Sequence, residues 1–175
     1  MACDLSLGYL EPCKDNVSGL KACYFVNFGD MTGVTYNVTN TDVIDTVTGS
    51  PTAYKYELKG TNSLDQTITS SRENGTTFFE QSLKLSLKKL TATMHKEIKL
   101  LAYGRPVVIV EMNNGNLFLC GLEHGLELAS GSITSGVNMG DASGYTLELK
   151  GMEKTAANFL GDDLVSLGFT VVVGS

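Results

Sequence analysis

The chain of 175 residues lacks tryptophan and has only three prolines and two histidines. Sugar-binding β-sandwiches usually present exposed aromatic platforms, so the missing tryptophan disfavours that class of binding module. A membrane helix needs about 20 consecutive apolar residues, and no stretch of the sequence approaches that length. The first residues also lack the basic start and apolar run of a secretory leader. We therefore expect a soluble protein made in the cytoplasm, with no membrane partner.

Positive charge is scarce as well. Thirteen Lys and Arg stand against 19 Asp and Glu, which gives a formal net charge of -6 and a pI near 4.8. Because affinity for phosphates comes from clustered Lys and Arg, this balance disfavours a protein that grips DNA or an anionic membrane. An acidic surface of this kind repels nucleic acid.

Motifs for catalysis are missing too. The sequence contains no nucleophile elbow, no phosphate-binding P-loop and no dinucleotide-binding glycine pattern. His95 is predicted to be solvated on the polar side of a helix. Cys120 and His124 are spaced as Cys-x3-His beside Glu123, but further ligands at local spacing are lacking, so the sequence predicts no metal site. We expect neither an enzyme nor a cofactor.

Four cysteines are present, three of them in the first segment, and reduced thiols are favoured over disulfides because no leader directs the chain to an oxidising compartment. Asp162 and Asp163 with Glu11 could contribute to a calcium site. The acidic pair is more simply explained as the start of a short helix over Asp162–Leu167, where the helix dipole favours negative charge.

Hydrophobic periodicity divides the chain into an irregular N-terminal arm over residues 1–20 and one β-rich domain over residues 21–175. Leu90, Met94, Ile98 and Leu101 recur at helical spacing and predict one amphipathic helix over Thr91–Tyr103. The Asn-Gly pair within Asn113–Gly115 predicts a hairpin turn with positive φ at both central residues. Other strands are predicted at Lys21–Phe28, Val34–Asn40, Ala53–Gly60, Val107–Met112, Asn116–Cys120, Tyr145–Lys150 and Phe169–Val173.

The most regular pattern lies between residues 79 and 88. One set of alternating positions predicts a buried face: Phe79, Gln81, Leu83, Leu85 and Leu87. The other set predicts a wetted face: Glu80, Ser82, Lys84, Ser86 and Lys88. Period two predicts a long strand, although the Leu and Lys content leaves a helix open. The polar segment Thr61–Gly75 is predicted to be a mobile loop, or one ordered only by a partner, inside an extended hairpin that spans about residues 53–89.

These elements amount to about eight to ten strands and one helix. The sequence therefore predicts a mainly β fold, either a β-sandwich or a partial barrel with one flanking helix and an extended hairpin.

Three stretches resemble tail tube and tail-ring proteins of bacteriophages, particularly those that infect Bacteroidetes. They are Val110–Gly121, Glu123–Leu128 and Gly140–Glu153, and Leu10–Lys21 is similar to the N-terminal arm of the same group. The resemblance implies a structural virion protein whose rings, of six subunits, stack into a tube that conducts DNA during ejection. Its partners would be further copies of itself and other tail proteins, namely the terminator, the baseplate or hub, and the tape measure.

On this reading the wetted face that begins at Glu80 lines the lumen of the tube. Lys84, Lys88 and Lys89 make that face basic, which weakens the repulsion of DNA locally. Alternative interpretations are a head-to-tail connector, a capsid decoration protein, or a non-viral β-sandwich binding module.

Overall fold

The computed structural model describes residues 4–174, so Cys3 lies outside the described residues. Within that range the chain forms twelve strands and one helix in two sheets, and the prediction of a mainly β fold with one helix is confirmed. The elements are β1 (Leu20–Val26), β2 (Gly33–Tyr36), β3 (Val43–Thr48), β4 (Thr52–Glu57), β5 (Ser63–Ser71), β6 (Thr76–Lys88), α1 (Ala92–Tyr103), β7 (Val107–Met112), β8 (Leu117–Cys120), β9 (Glu127–Thr134), β10 (Gly144–Glu153), β11 (Asn158–Leu160) and β12 (Thr170–Val173).

The large sheet has eight strands in the order β12-β4-β1-β7-β8-β11-β3-β2. Only the segment 49–51 joins β3 to β4, although these strands stand second from opposite ends of the sheet. A flat sheet would separate them by about 24 Å, at about 4.8 Å per strand. Four Cα steps reach at most about 15 Å. The large sheet must therefore curl strongly, and within the described residues it remains open between β12 and β2.

The small sheet has four strands in the order β5-β6-β10-β9, and all its pairs are antiparallel. One hydrophobic cluster joins the two sheets and the helix. It contains Cys23, Phe25, Val108 and Val110 from the large sheet, Leu83, Leu85, Leu147 and Leu149 from the small sheet, and Ile98 from α1. The architecture is thus a β-sandwich flanked by one helix.

A second cluster covers the opposite face of β1 and β7, where Tyr24 and Ile109 meet Ile44 of β3. The C-terminal segment adds Leu164, Leu167 and Phe169 to it. Because both faces of the two central strands are covered, their sequences read as continuous apolar runs.

Helix α1 begins at the predicted place. The Thr91 hydroxyl oxygen accepts a hydrogen bond from the Met94 N–H at 3.2 Å, which satisfies one of the free donors of the first turn. Ile98 is buried, and Met94 and Leu101 pack against the core. His95 differs from its prediction, since it is half-buried and its ring centroid lies 6.2 Å from that of Tyr145. Within residues 4–174 no helix is both long and apolar enough to cross a bilayer.

The prediction for the extended hairpin is wrong in its bounds. The supposed loop Thr61–Gly75 contains β5, which pairs with β6 from Ser63 opposite Lys84 to Ser71 opposite Thr76. The hairpin is therefore β5–β6, over residues 63–88, while β4 belongs to the large sheet. The polar side chains of β5 indicated a loop, but an edge strand with one solvated face also needs few apolar residues.

Two smaller predictions also need correction. In the β7–β8 hairpin only Gly115 has positive φ, at 91°, and the Gly115 N–H donates to the Met112 carbonyl at 3.0 Å. This is a three-residue loop closed by glycine and not a two-residue turn with positive φ throughout. Segment 162–167 forms turns and no α-helix. Within the described residues, Glu11 does not form a cluster of possible metal ligands with Asp162 and Asp163.

Candidate assembly surface on the small sheet

The centre of the small sheet is the ladder between β6 and β10. It runs in continuous register from Lys88 opposite Gly144 to Phe79 opposite Glu153. This regular pairing excludes the helical interpretation of residues 79–88. Since successive side chains of a strand point to opposite faces, the ladder assigns every residue of both strands to one side of the sheet.

The face of this sheet that meets the large sheet is apolar. Leu83 and Leu85 are 0% and 1% exposed, and Leu87 and Phe79 are half-buried. Leu147 and Leu149 of β10 lie on the same face. The structure thus places the four apolar residues predicted for the buried face against the core or at its margin.

The opposite side, which we call the outer face, carries the five residues predicted to be wetted. Lys84 and Lys88 are exposed, whereas Glu80, Ser82 and Ser86 are half-buried. By register, the flanking strands add polar residues to the same side: Asp65 and Thr67 of β5, Thr146, Glu148 and Lys150 of β10, and Ser130 and Ser132 of β9.

Glu148 organises the outer face. Its carboxylate oxygens accept hydrogen bonds from Ser130 Oγ at 3.1 Å and Ser82 Oγ at 3.3 Å, and Lys150 Nζ lies 3.6 Å away. The Ser130 hydroxyl, with smaller effects of Lys150 and Lys84, holds the pKa of Glu148 below its ordinary value. One carboxylate therefore connects three strands of the sheet.

The basic character predicted for the polar side of β6 does not extend over the outer face. Lys84 lies opposite Glu148 in the ladder, and Lys150 lies 3.9 Å from Glu80. Carboxylates thus stand beside Lys84 and Lys150, whereas Lys88 lies opposite Gly144. The result is a hydroxyl-rich surface of mixed charge.

Both margins of the small sheet are unpaired within the described residues, because β5 pairs only with β6 and β9 only with β10. Neither margin contains lysine or proline, the residues that often protect edge strands from association. Successive strands alternate in direction, so β5 and β9 run antiparallel to each other. The β9 margin of one copy can therefore continue into the β5 margin of the next as an ordinary antiparallel pair.

Each margin also exposes an isoleucine on its core-facing side. Ile68 of β5, opposite Phe79, is 64% exposed, and Ile133 of β9, opposite Tyr145, is 54% exposed. These side chains extend past the part of the sandwich that the large sheet covers. A neighbouring molecule beside the margin would bury them.

The N-terminal arm is a further uncovered apolar segment. Between Asp4 and Ser18 it forms no helix or strand, and Leu5, Leu7, Tyr9 and Leu10 are 84–99% exposed. Its last part is attached to the body, since Asn114 Nδ2 donates to Asn16 Oδ1 at 3.0 Å. Cys13 is exposed in the arm as a free thiol.

Cys23 and Cys120 are free thiols buried between the sheets. Burial raises the pKa of Cys23, and burial followed by the negative charge of Glu153 raises that of Cys120 to about 12. Both groups therefore stay protonated at neutral pH and act as small core side chains.

The alternating pattern places Gln81 on the buried face of β6 but does not identify its partner, and Gln81 is 1% exposed. Its Oε1 accepts a hydrogen bond from the Gly121 N–H at 2.9 Å, so it joins the small sheet to the end of β8. The signal available in the sequence was a glutamine in a row of alternating leucines, which indicates a buried polar group with a fixed partner.

A scan against protein-family models, a search of curated proteins and a search of solved structures each found no match to this chain.

Proposed function

We propose that the protein is a structural virion component that associates through the two margins of its small sheet into closed rings, which stack as the tube of a phage tail. The observation that carries this proposal is the pair of unpaired, antiparallel margins, free of lysine and proline, on either side of a polar outer face. Edge strands of this kind readily pair with another chain.

Repetition of one heterologous contact closes a ring when the rotation between copies allows it. In such a ring the small sheets form a continuous barrel wall, with the outer faces turned to the lumen and the large sheets outside. Glu80, Ser82, Lys84, Ser86 and Lys88 then meet water and passing DNA. Their mixed charges and hydroxyl groups offer no dense cationic track for phosphates.

The arm and the resemblance supply the rest of the proposal. The exposed leucines of the arm need cover from a neighbouring copy, in the same ring or the next. By resemblance to the tail-tube group, the assembly lies in the virion tail and contacts the terminator, the baseplate or hub, and the tape measure. DNA passes through it without specific binding, and no enzymatic step is involved.

The experiment compares wild-type protein with Ile68→Lys and Ile133→Lys by light scattering at rising concentration and by negative-stain microscopy. Both isoleucines are more than half exposed in the single chain, so a lysine in their place should leave the fold intact. At an interface between two subunits, however, the charged side chain would oppose burial. We expect rings or tubes from the wild type and none from the two variants.

Val38→Lys is the matched control, because Val38 is an equally apolar residue, 98% exposed, between β2 and β3. It should assemble like the wild type. If both isoleucine variants assemble like the wild type, the margins of the small sheet are not the subunit interfaces. If microscopy instead shows discrete particles that do not extend into rings or tubes, a connector or decoration protein is favoured.

A further inference from the structure

Three side chains with metal-ligand chemistry converge away from the outer face. Glu123 and His124 lie in the turn between β8 and β9, and Glu153 is the last residue of β10. One ligand atom from each residue lies within 4.8 Å of those of the other two. The sequence placed only Cys120 and Glu123 near His124, and the tertiary structure supplies the distant carboxylate of Glu153.

Glu153 is the unusual member, because it is only 5% exposed. Its Oε1 accepts a hydrogen bond from the His124 backbone N–H at 3.0 Å. Across residues 4–174 this is its one hydrogen bond, and no Lys or Arg lies within ion-pair distance of it. A carboxylate this buried, with one neutral hydrogen-bond donor and no cationic side chain beside it, would be stabilised by a bound cation.

The turn that presents Glu123 and His124 is held in shape by its own backbone. Gly121 and Gly125 have φ of 73° and 74°, and the Gly125 N–H donates to the Gly121 carbonyl at 2.9 Å. A Cβ on Gly125 would lie 2.6 Å from the Arg105 carbonyl oxygen. Because the loop is fixed by these contacts, the ligand atoms are brought together before any ion arrives.

We propose that Glu123, His124 and Glu153 bind a first-row divalent cation of the zinc type. One imidazole nitrogen and two carboxylate oxygens form a mixed donor set, which suits Zn²⁺ or Co²⁺ better than Ca²⁺, an ion that takes six to eight oxygens. Three protein ligands leave room for water at the fourth position. Glu123 and His124 are exposed, so the ion enters from solvent and ties the turn to the end of β10.

The test uses the full chain with Cys3→Ser and Cys13→Ser as the parent, because thiols bind zinc and Cys13 is exposed. The parent is titrated with ZnCl₂ in a calorimeter, and with CoCl₂ while the visible absorption of the bound ion is followed. We expect saturable binding of one ion per chain, and a melting temperature that rises with Zn²⁺.

In that parent, Glu123→Gln, His124→Ala and Glu153→Gln should each weaken Zn²⁺ binding at least about tenfold. His95→Ala is the matched control, since His95 is the other of the two histidines, and it should bind like the parent. Circular dichroism confirms folding. If Glu153→Gln fails to fold, Glu123→Gln and His124→Ala decide, because both residues are exposed.

Absence of saturable binding to the parent would overturn the proposal. So would equal loss in His95→Ala and His124→Ala, or unchanged affinity in both Glu123→Gln and His124→Ala. The site does not depend on ring formation, and all measurements are made on the dissociated chain.

Discussion

Gln66 of β5 and Gln81 of β6 lie directly opposite each other, and each accepts a hydrogen bond from a backbone N–H outside their sheet. Gln66 Oε1 accepts from Ala157 at 2.8 Å, and Gln81 Oε1 accepts from Gly121 at 2.9 Å. This pair of side chains fixes the β5–β6 hairpin to segments that follow β10 and β8. The hairpin is therefore attached to the body by polar contacts as well as by its leucines.

Replacement of Gln81 by Leu should destabilise the protein. The substitution keeps an apolar volume in the core but leaves the buried Gly121 N–H without its acceptor, which costs about 1–3 kcal/mol. Urea denaturation measures the loss. Gln66→Leu is the comparison and should cost less, because Gln66 is only half-buried. An equal or smaller loss in Gln81→Leu would contradict the importance of this bond.

The two faces of β6 can be compared with a matched pair of aspartates. Leu85→Asp puts an unpaired charge into a position that is 1% exposed, and we expect a loss of more than about 3 kcal/mol and no assembly. Ser86→Asp, one residue further on the outer face, should fold normally. Soluble yield and tube formation are measured side by side. Assembly of Leu85→Asp together with failure of Ser86→Asp would mean that the faces are inverted.

Stability should depend on pH through Glu111. Lys21 Nζ donates to its Oε1 at 2.9 Å and the Tyr24 hydroxyl donates to its Oε2 at 3.0 Å. Partial burial would raise the pKa of Glu111, but these hydrogen bonds outweigh that effect and lower it from its ordinary 4.5. The stabilisation is therefore present above about pH 4.5 and is lost as the pH falls through the lower, folded-state pKa.

The measurement compares the free energy of unfolding of wild type and Glu111→Gln from pH 7 to pH 3. The variant should be less stable at pH 7, and the difference should shrink below about pH 4.5. Glu57→Gln is the control, since the Glu57 side chain is 71% exposed, and its difference from wild type should stay small throughout. A gap between wild type and Glu111→Gln that widens with acid would contradict the assignment.

Hydrogen exchange distinguishes an edge strand from a loop at residues 63–71. Within the small sheet of the dissociated chain, β6 and β10 should exchange slowest because each has a partner on both sides. Strand β5 should be intermediate, slower than the arm over residues 4–16, and both β5 and β9 should become protected on assembly. Exchange of β5 as fast as the arm would restore the loop interpretation, and unchanged exchange of β9 on assembly would argue against edge pairing.

The local sequence pattern was sufficient to predict the type of an element and its buried face where one side is apolar and the other polar. The leucines of β6 predicted its buried face, and the spacing of Met94 and Ile98 with a threonine cap predicted α1, because periods of 2 and 3.6 follow from backbone geometry alone. The Asn-Gly pair predicted the β7–β8 hairpin because such turns need residues that tolerate positive φ, although it did not predict the exact conformation.

Tertiary structure decided everything that depends on which strands pair and on partners distant in sequence. Polar β5 became a strand only because β6 offers it a ladder, and its hydrogen bonds leave no trace in side-chain pattern. The basic residues of β6 met Glu148 of β10, and Glu153 joined His124, through pairings that no local spacing encodes. The sequence by itself thus determined the buried faces of β6 and α1. Long-range strand order decided which charges meet and which margins remain open, because register is set by the whole sheet and not by one strand.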